Sequence, residues 1–481
     1  MEKNLSERKR KEKEIRNAII FQSLRNNIIF LIDNPSDDIH ISLKNKFLNA
    51  SNIIKFNLLH RCFKTKYPEK TKVKIYDKEY DLSNDIEKKE FESYFRNIIY
   101  CTYRNNFPTL KNYKNNIEYN SDCGWGCMIR SSQMILAKAI YEILIHEKNN
   151  NISSLFNTIS LLIEYPFNYN ETPNIFSKYK IKAEEILNQQ NENNKNIKLD
   201  NNNKVTNNQD YNNINNNNIN NNEINNNITI NNEIIKIYPP FSIKTICSIG
   251  QILNKSCGEW FSDVNMPHIF KIINKNFNII NNLKIIPFLT NVVISKIIKK
   301  CFEEIKEDNL IEENYFLFND KKYIFKNYGL IFISVRIGLN SIEKDYYNSI
   351  KNLFTCKECI GFTGGKNFSA SYFIGYDDKN ILYLDPHFSK NSIIPPLTDI
   401  NIESYLDKTL FQLPLEKLQP AFTIGFLFRD LNEFKDLYKF FNEYCIKDNP
   451  CFFVQDNESV FINYNEENDT TNDIINSQDD F

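Results

Sequence analysis

SDCGWGCMIRSSQMILAKAIYEIL, residues 121–144, is the stretch on which the fold turns. Its first eight residues hold two glycines and a tryptophan, in a chain with only 11 Gly and 2 Trp, so they mark an unusual backbone turn. Glycine lets a chain bend tightly and lets a ligand approach the backbone closely. Beyond Gly126, the residues Leu136, Ile140, Ile143 and Leu144 recur at helical spacing, which predicts a long, mostly buried helix beginning near Cys127. A thiol at that end feels the positive pole of the helix dipole and unpaired N–H groups, and both favour the thiolate. The N–H of Cys127 can also face an oxyanion. The alternative reading makes Cys127 and Cys123 small buried hydrophobes, the ordinary fate of free cysteine. Cys123, about one turn before the helix, is taken as structural.

A nucleophilic cysteine needs an imidazole, and the chain has five: His40, His60, His146, His268 and His387. His40 lies in a polar N-terminal region and His60 among charges. His146 falls near the far end of the helix, about 28 Å from Cys127 at ~1.5 Å rise per residue. His387 ends Tyr383-Leu-Asp-Pro-His387, and Asp385 stands two residues earlier, so on an extended chain both side chains share a face. A carboxylate there fixes the imidazole tautomer and stabilises imidazolium. Pro386 stiffens the spacer. The competing readings are an ordinary Asp-Pro turn with a surface histidine, and His268 as the base.

Strand-like runs crowd the second half: 330–337 (LIFISVRI), 371–376 (SYFIGY), 381–385 (ILYLD) and 421–428 (AFTIGFLF), all rich in β-branched and aromatic residues. SYFIGY and ILYLD, separated by Asp377-Asp378-Lys379-Asn380, predict an antiparallel hairpin. Asp430-Leu-Asn-Glu433 is a capping-box pattern opening a last helix with Leu431, Phe434, Leu437 and Phe441 on its apolar face. Helices early and sheet late predict an α+β fold, with the nucleophile helix packed on an antiparallel sheet.

The expected layout is a charged N-terminal extension (1–49), one folded domain (50–450) and an acidic, disordered tail (451–481). Two insertions interrupt the domain. Asn makes up 24 of the 45 residues from 188 to 232, so the segment 186–236 lacks the apolar surface to offset its ordering entropy. Residues 303–322 read as a polar surface insertion.

Whole-chain composition narrows the function classes. Hydrophobic residues at 41% and aromatics at 14% suffice for a large core. The 59 Lys and Arg against 60 Asp and Glu leave a net charge of -1, without the basic excess of a phosphate-tracking surface, so nucleic acid is not expected as partner. The charged start MEKNLSERKRKEKEIRN has no secretory apolar region, and no run reaches membrane-spanning length, so a soluble, cytoplasmic monomer is expected. Eleven irregularly spaced cysteines then read as reduced thiols, not as a disulfide framework. Cys356-Lys-Glu-Cys359 stands alone, without a second such pair, so neither metal nor cofactor is expected.

With these residues in view, the chain resembles the autophagins, the autophagy-related protein 4 family of papain-like cysteine peptidases. The likeness runs in chain order through Thr-Tyr-Arg-Asn-Asn-Phe-Pro (102–108), the 121–134 stretch, Gly-Glu-Trp (258–260), Val-Arg-Ile-Gly-Leu (335–339), Gly-Gly-Lys (364–366), Tyr-Phe-Ile-Gly-Tyr (372–376) and Leu-Asp-Pro-His (384–387). It implies a papain-like fold and a catalytic Cys127, His387 and Asp385. The implied substrate is a ubiquitin-like autophagy modifier, cleaved after its C-terminal glycine and also released from phosphatidylethanolamine. It further implies an oxyanion donor at Tyr103, and Trp260 as the roof of a narrow cleft with Gly364 and Gly365; both aromatics can also be read as plain core. The loop after Gly365 departs from the family pattern at Asn367, Phe368 and Ser371, which puts its gating role in question. A modifier-binding protein without activity, and a Cys-His-Asp acyltransferase, are the alternative functions.

Overall fold

The computed structural model describes residues 72–147, 150–181, 236–305, 314–366 and 369–457, together with the short strands Thr229–Ile230 and Glu233–Ile234. The N-terminal extension, most of the Asn-rich insertion and residues 458–481 of the tail lie outside the described residues, as do Asn367 and Phe368.

In chain order, the elements that position the site are β1 (Lys72–Ile75), β2 (Lys78–Asp81), β3 (Tyr103–Lys111), β4 (Glu118–Ser121), α1 (Cys127–His146), α2 (Asn265–Phe277) and β5 (Leu283–Leu289). They continue with β6 (Tyr328–Arg336), β7 (Cys359–Lys366), β8 (Ser369–Tyr376), β9 (Asn380–Leu384), β10 (Ser389–Asn391), β11 (Phe411–Pro414), β12 (Ala421–Phe428) and α3 (Leu431–Cys445). The main sheet runs β11-β9-β8-β7-β12-β6-β5, with β1 also paired to β8 and β2 to β1. Its pairings are antiparallel except β5 with β6.

Against this sheet lies α1, packed on β7 and β8. No Gly or Pro interrupts it, and Leu136, Ile140, Ile143 and Leu144 are all buried, as the spacing predicts. Each such side chain contributes about 1.5–3 kcal/mol on leaving water. Close approach depends on Gly425 of β12, where a Cβ would lie 2.7 Å from Ile135 Cδ1 and 2.9 Å from Ile360 Cγ1. The fold is therefore α+β, with the helix on a predominantly antiparallel sheet.

The β8–β9 hairpin forms where expected. Its turn is closed by Asp377, whose Oδ1 accepts from the N–H groups of Lys379 (2.8 Å) and Asn380 (2.7 Å). At α3 only half of the expected capping box forms: Asp430 accepts from the Glu433 N–H at 2.9 Å, but Glu433 turns to Arg429, accepting from its N–H at 2.6 Å and from its guanidinium. The neighbouring cation competes successfully for the carboxylate.

Residues 303–322 differ from the surface excursion read in the sequence. Where described, they supply strands Phe302–Ile305 and Phe316–Phe318, both paired to Lys321–Phe325, with Phe316 and Phe318 buried. Phe316 packs 5.0 Å from the Phe434 ring of α3. The charged and polar residues around these short strands concealed the apolar face. Likewise the start of the expected tail is structured, since Phe453–Gln455 pairs in parallel with Asn291–Val293.

Candidate functional site

Cys127 is the first residue of α1, and the helix N-cap, Gly126, makes no side-chain hydrogen bond to the first turn. The open N-terminal N–H groups are thus available to the sulfur and whatever it meets. Three groups hydrogen-bond the sulfur: the His387 ring, the Tyr103 hydroxyl and the backbone N–H of Ala370. Burial pushes the Cys127 thiol up, but the imidazole's bond and charge, with the Ala370 and Tyr103 donors, bring it below the ordinary thiol value.

His387 follows the end of β9. Its Nδ1 lies 2.5 Å from Asp385 Oδ1, and its backbone N–H donates to the same oxygen at 3.0 Å. Burial pulls the imidazole down, yet the Asp385 charge and hydrogen bond, reinforced by Cys127, raise it to about 9. With Nδ1 committed to the carboxylate, Nε2 is the ring nitrogen left for the sulfur. Asp385 is fixed in turn by Tyr100, whose hydroxyl donates to its carbonyl oxygen.

Strand pairing joins these pieces. β10 runs parallel to β3 with Ser389 opposite Tyr103, and the Tyr103 N–H donates to Pro386 O at 2.9 Å. The Tyr103 ring meets the His387 ring edge-on, centroids 5.4 Å apart and planes at 86°. Buried as it is, and beside the sulfur, its hydroxyl stays protonated well above the usual phenol range and is a donor.

Trp260 does not sit in the core: it is 60% exposed, and its Nε1 donates to Gly124 O at 3.0 Å, so the indole lies over the turn before Cys127. Gly364 and Gly365 are ladder residues of β7, opposite Ser371 and Ala370. Gly364 packs against Phe422 of β12 and Gly365 against Gln419. They face other protein groups, and it is their partner Ala370 that presents an N–H to the sulfur.

His268, the rival base, lies on α2, and it is His387 that hydrogen-bonds Cys127. Its Nδ1 is buried without a hydrogen-bond partner, and burial, with Lys271 nearby, pushes its pKa down to about 3. His146 closes α1, its ring edge-on to Tyr328. Cys123 is buried, bonded to Ser389 Oγ at 3.4 Å, and raised to about 11 by burial. Cys356 bonds to Glu358 at 3.2 Å, and among the described residues no group of three or more His, Cys, Asp or Glu could hold a metal ion.

Sequence reading missed the Ala370 N–H and Tyr100. It also missed a fully buried ion cluster under the Cys127 turn: Asp122–Arg130 at 2.6 Å and Arg130–Glu164 at 2.5 Å. Asp122 and Arg130 stand inside the quoted 121–144 stretch and pair with each other, but their further partners, Arg104 and Glu164, come from elsewhere in the chain.

A helix on an antiparallel sheet, with a thiol at the helix start and an Asp-oriented imidazole at a strand end, defines a cysteine peptidase of papain-like fold. The model of the peptidase C54 catalytic domain matches residues 88–440. The chain therefore belongs to the peptidase C54, or autophagin, family. It is similar to cysteine protease ATG4D of Xenopus laevis, 24% identical over 416 residues that cover 84% of this chain and 78% of that protein. Cysteine protease ATG4C of Homo sapiens is 23% identical over 418 residues, 82% of this chain and 84% of that protein. Cysteine protease ATG4 of Candida albicans is 24% identical over 363 residues, 71% of this chain and 56% of that protein. Among the described residues no helix is long and apolar enough to cross a membrane.

Proposed function

We propose that this peptidase acts in autophagy, cutting the amide that follows the C-terminal glycine of a ubiquitin-like modifier. Precursor processing and release of the modifier from phosphatidylethanolamine are then one reaction with two leaving amines. The observation that carries the reading is the contact of Cys127 with both His387 and Tyr103, next to the turn whose Gly124 O accepts from Trp260.

The Cys127 thiolate attacks the glycyl carbonyl, forming a C–S bond. Charge passes to the carbonyl oxygen, where the Tyr103 hydroxyl and the Cys127 N–H are the proposed donors. Imidazolium His387 gives its proton to the departing nitrogen as the C–N bond breaks. Water, deprotonated by His387, then hydrolyses the thioester and restores the thiol. Asp385 keeps the ring in register throughout. Trp260, whose Nε1 donates to Gly124 O, is the proposed flat wall of the cleft, one that admits glycine while excluding a side chain.

Incubating the purified protein with a modifier precursor and reading product masses tests this. Wild type should yield the modifier ending in glycine, and Cys127→Ala should yield none while still binding. Full activity in that variant would remove the nucleophile assignment. A modifier joined to an added amine, in place of the free acid, would mark an acyltransferase.

A further inference from the structure

Asp122 takes no part in the chemistry above, and its side chain is sealed from solvent. Its Oδ1 accepts from the Arg104 N–H at 2.6 Å, and its Oδ2 from Arg130 Nε at 2.6 Å. Arg104 is the residue after Tyr103, and Arg130 lies one turn into the helix that Cys127 begins. One carboxylate therefore bonds at once to the two segments that bear the Tyr103 hydroxyl and the Cys127 N–H.

The backbone of Asp122 adds to this. Its N–H donates to Arg104 O at 3.2 Å, and its carbonyl accepts from Trp125 (3.2 Å) and Gly126 (2.9 Å). Gly126 is shaped by the same group, since a Cβ there would fall 2.4 Å from Asp122 Oδ2. A plain structural role would be the simpler reading, but a buried ion pair is a weak source of stability compared with apolar packing of the same volume. What only the carboxylate supplies is two acceptors at fixed angles, one for each segment. Remote positioning of this kind matters because a misplacement of about 1 Å can cost about 10²-fold in rate.

We infer that Asp122 is the positioning residue of the oxyanion site, setting the spacing between the Tyr103 hydroxyl and the Cys127 N–H. The inference rests on the proposed roles of Cys127 and Tyr103. It makes the second residue of the 121–128 turn a determinant of rate, acting through its neighbours without touching substrate.

Asp122→Asn keeps the shape but turns an N–H₂ toward one of the two donors. The test measures kcat and KM for cleavage of a modifier precursor, and in parallel the pH dependence of Cys127 alkylation by iodoacetamide, a reaction that builds no oxyanion. The expected result is a kcat lower by about 10- to 100-fold, KM within about twofold, and an unchanged alkylation profile. Gly126→Ala, which pushes the carboxylate from its seat, should show the same split if Asp122→Asn does not fold. Wild-type kcat in a folded variant, or alkylation falling in step with kcat, would overturn the inference. Wild-type cleavage surviving complete alkylation of Cys127 would instead overturn the nucleophile reading beneath it.

Discussion

Replacing Asp385 by Asn probes the charge state of the whole site. In the native protein the Asp385 charge and hydrogen bond are the largest influences raising His387 to about 9, against burial that alone would pull it below the ordinary 6.5. A rise of about 2.5 pH units corresponds to roughly 3 kcal/mol of preference for imidazolium, at about 1.4 kcal/mol per unit. Without the carboxylate only the smaller influence of Cys127 opposes burial, so the imidazole pKa falls and less of the ring is protonated near neutrality. Orientation is lost as well, because an amide can present an N–H to Nδ1 and select the wrong tautomer. Together these should lower kcat/KM for precursor cleavage by about 10²- to 10⁴-fold. The pH profile is the sharper assay. Wild type should keep activity up to a basic limb near 9, and Asp385→Asn should lose it at lower pH, with slower iodoacetamide alkylation of Cys127 near neutrality. A basic limb still near 9 in the variant would refute the reasoning, since some other group would then hold the imidazole.

Four further outcomes are expected. Tyr103→Phe keeps the ring against His387 but deletes the hydroxyl, so kcat should fall about 10²- to 10³-fold with KM nearly unchanged, as steady-state kinetics would read. Trp260→Ala should leave stability within about 0.5 kcal/mol, because the indole is largely exposed, while a precursor with alanine at the scissile position, refused by wild type, becomes a substrate. Gly425→Ala places a methyl 2.7 Å from Ile135 Cδ1 and should destabilise the fold by about 1–3 kcal/mol in urea unfolding. His268 is held neutral in the fold at about 3, below its unfolded value of 6.5, so its contribution is complete above 6.5 and declines as pH falls toward 3. Stability measured between about pH 7 and 5 should therefore fall less steeply in His268→Leu than in wild type.

Legibility in the sequence followed the range of the interaction. The 121–144 stretch carries its turn, helix start and buried face within two dozen residues, so the helix beginning at Cys127 could be read directly. Asp385 and His387 were legible for the same reason, being two residues apart on an extended segment. The Ala370 N–H left no mark, because any residue supplies a backbone donor and only strand pairing decides which one meets the sulfur. Asp122 and Arg130 were visible as letters, but the carboxylate's use depends on the Arg104 N–H, and Arg130 depends on Glu164. Trp260 was open to two readings because its exposure depends on which backbone oxygen its N–H finds. The strand at 316–318 went unseen because it has only three residues, Phe-Leu-Phe, and lies within a stretch rich in charged and polar residues.

Ser389 to Asn391 pair with Tyr103 to Asn105, tying the strand that follows the base to the strand that begins at Tyr103. During synthesis the thiol emerges some 260 positions before its imidazole, whose hydrogen bond and charge are the largest influences that lower the Cys127 pKa in the folded protein. Hydrolysis thus draws on residues from both halves of the sequence, and a chain cut before His387 would hold the thiol without its base.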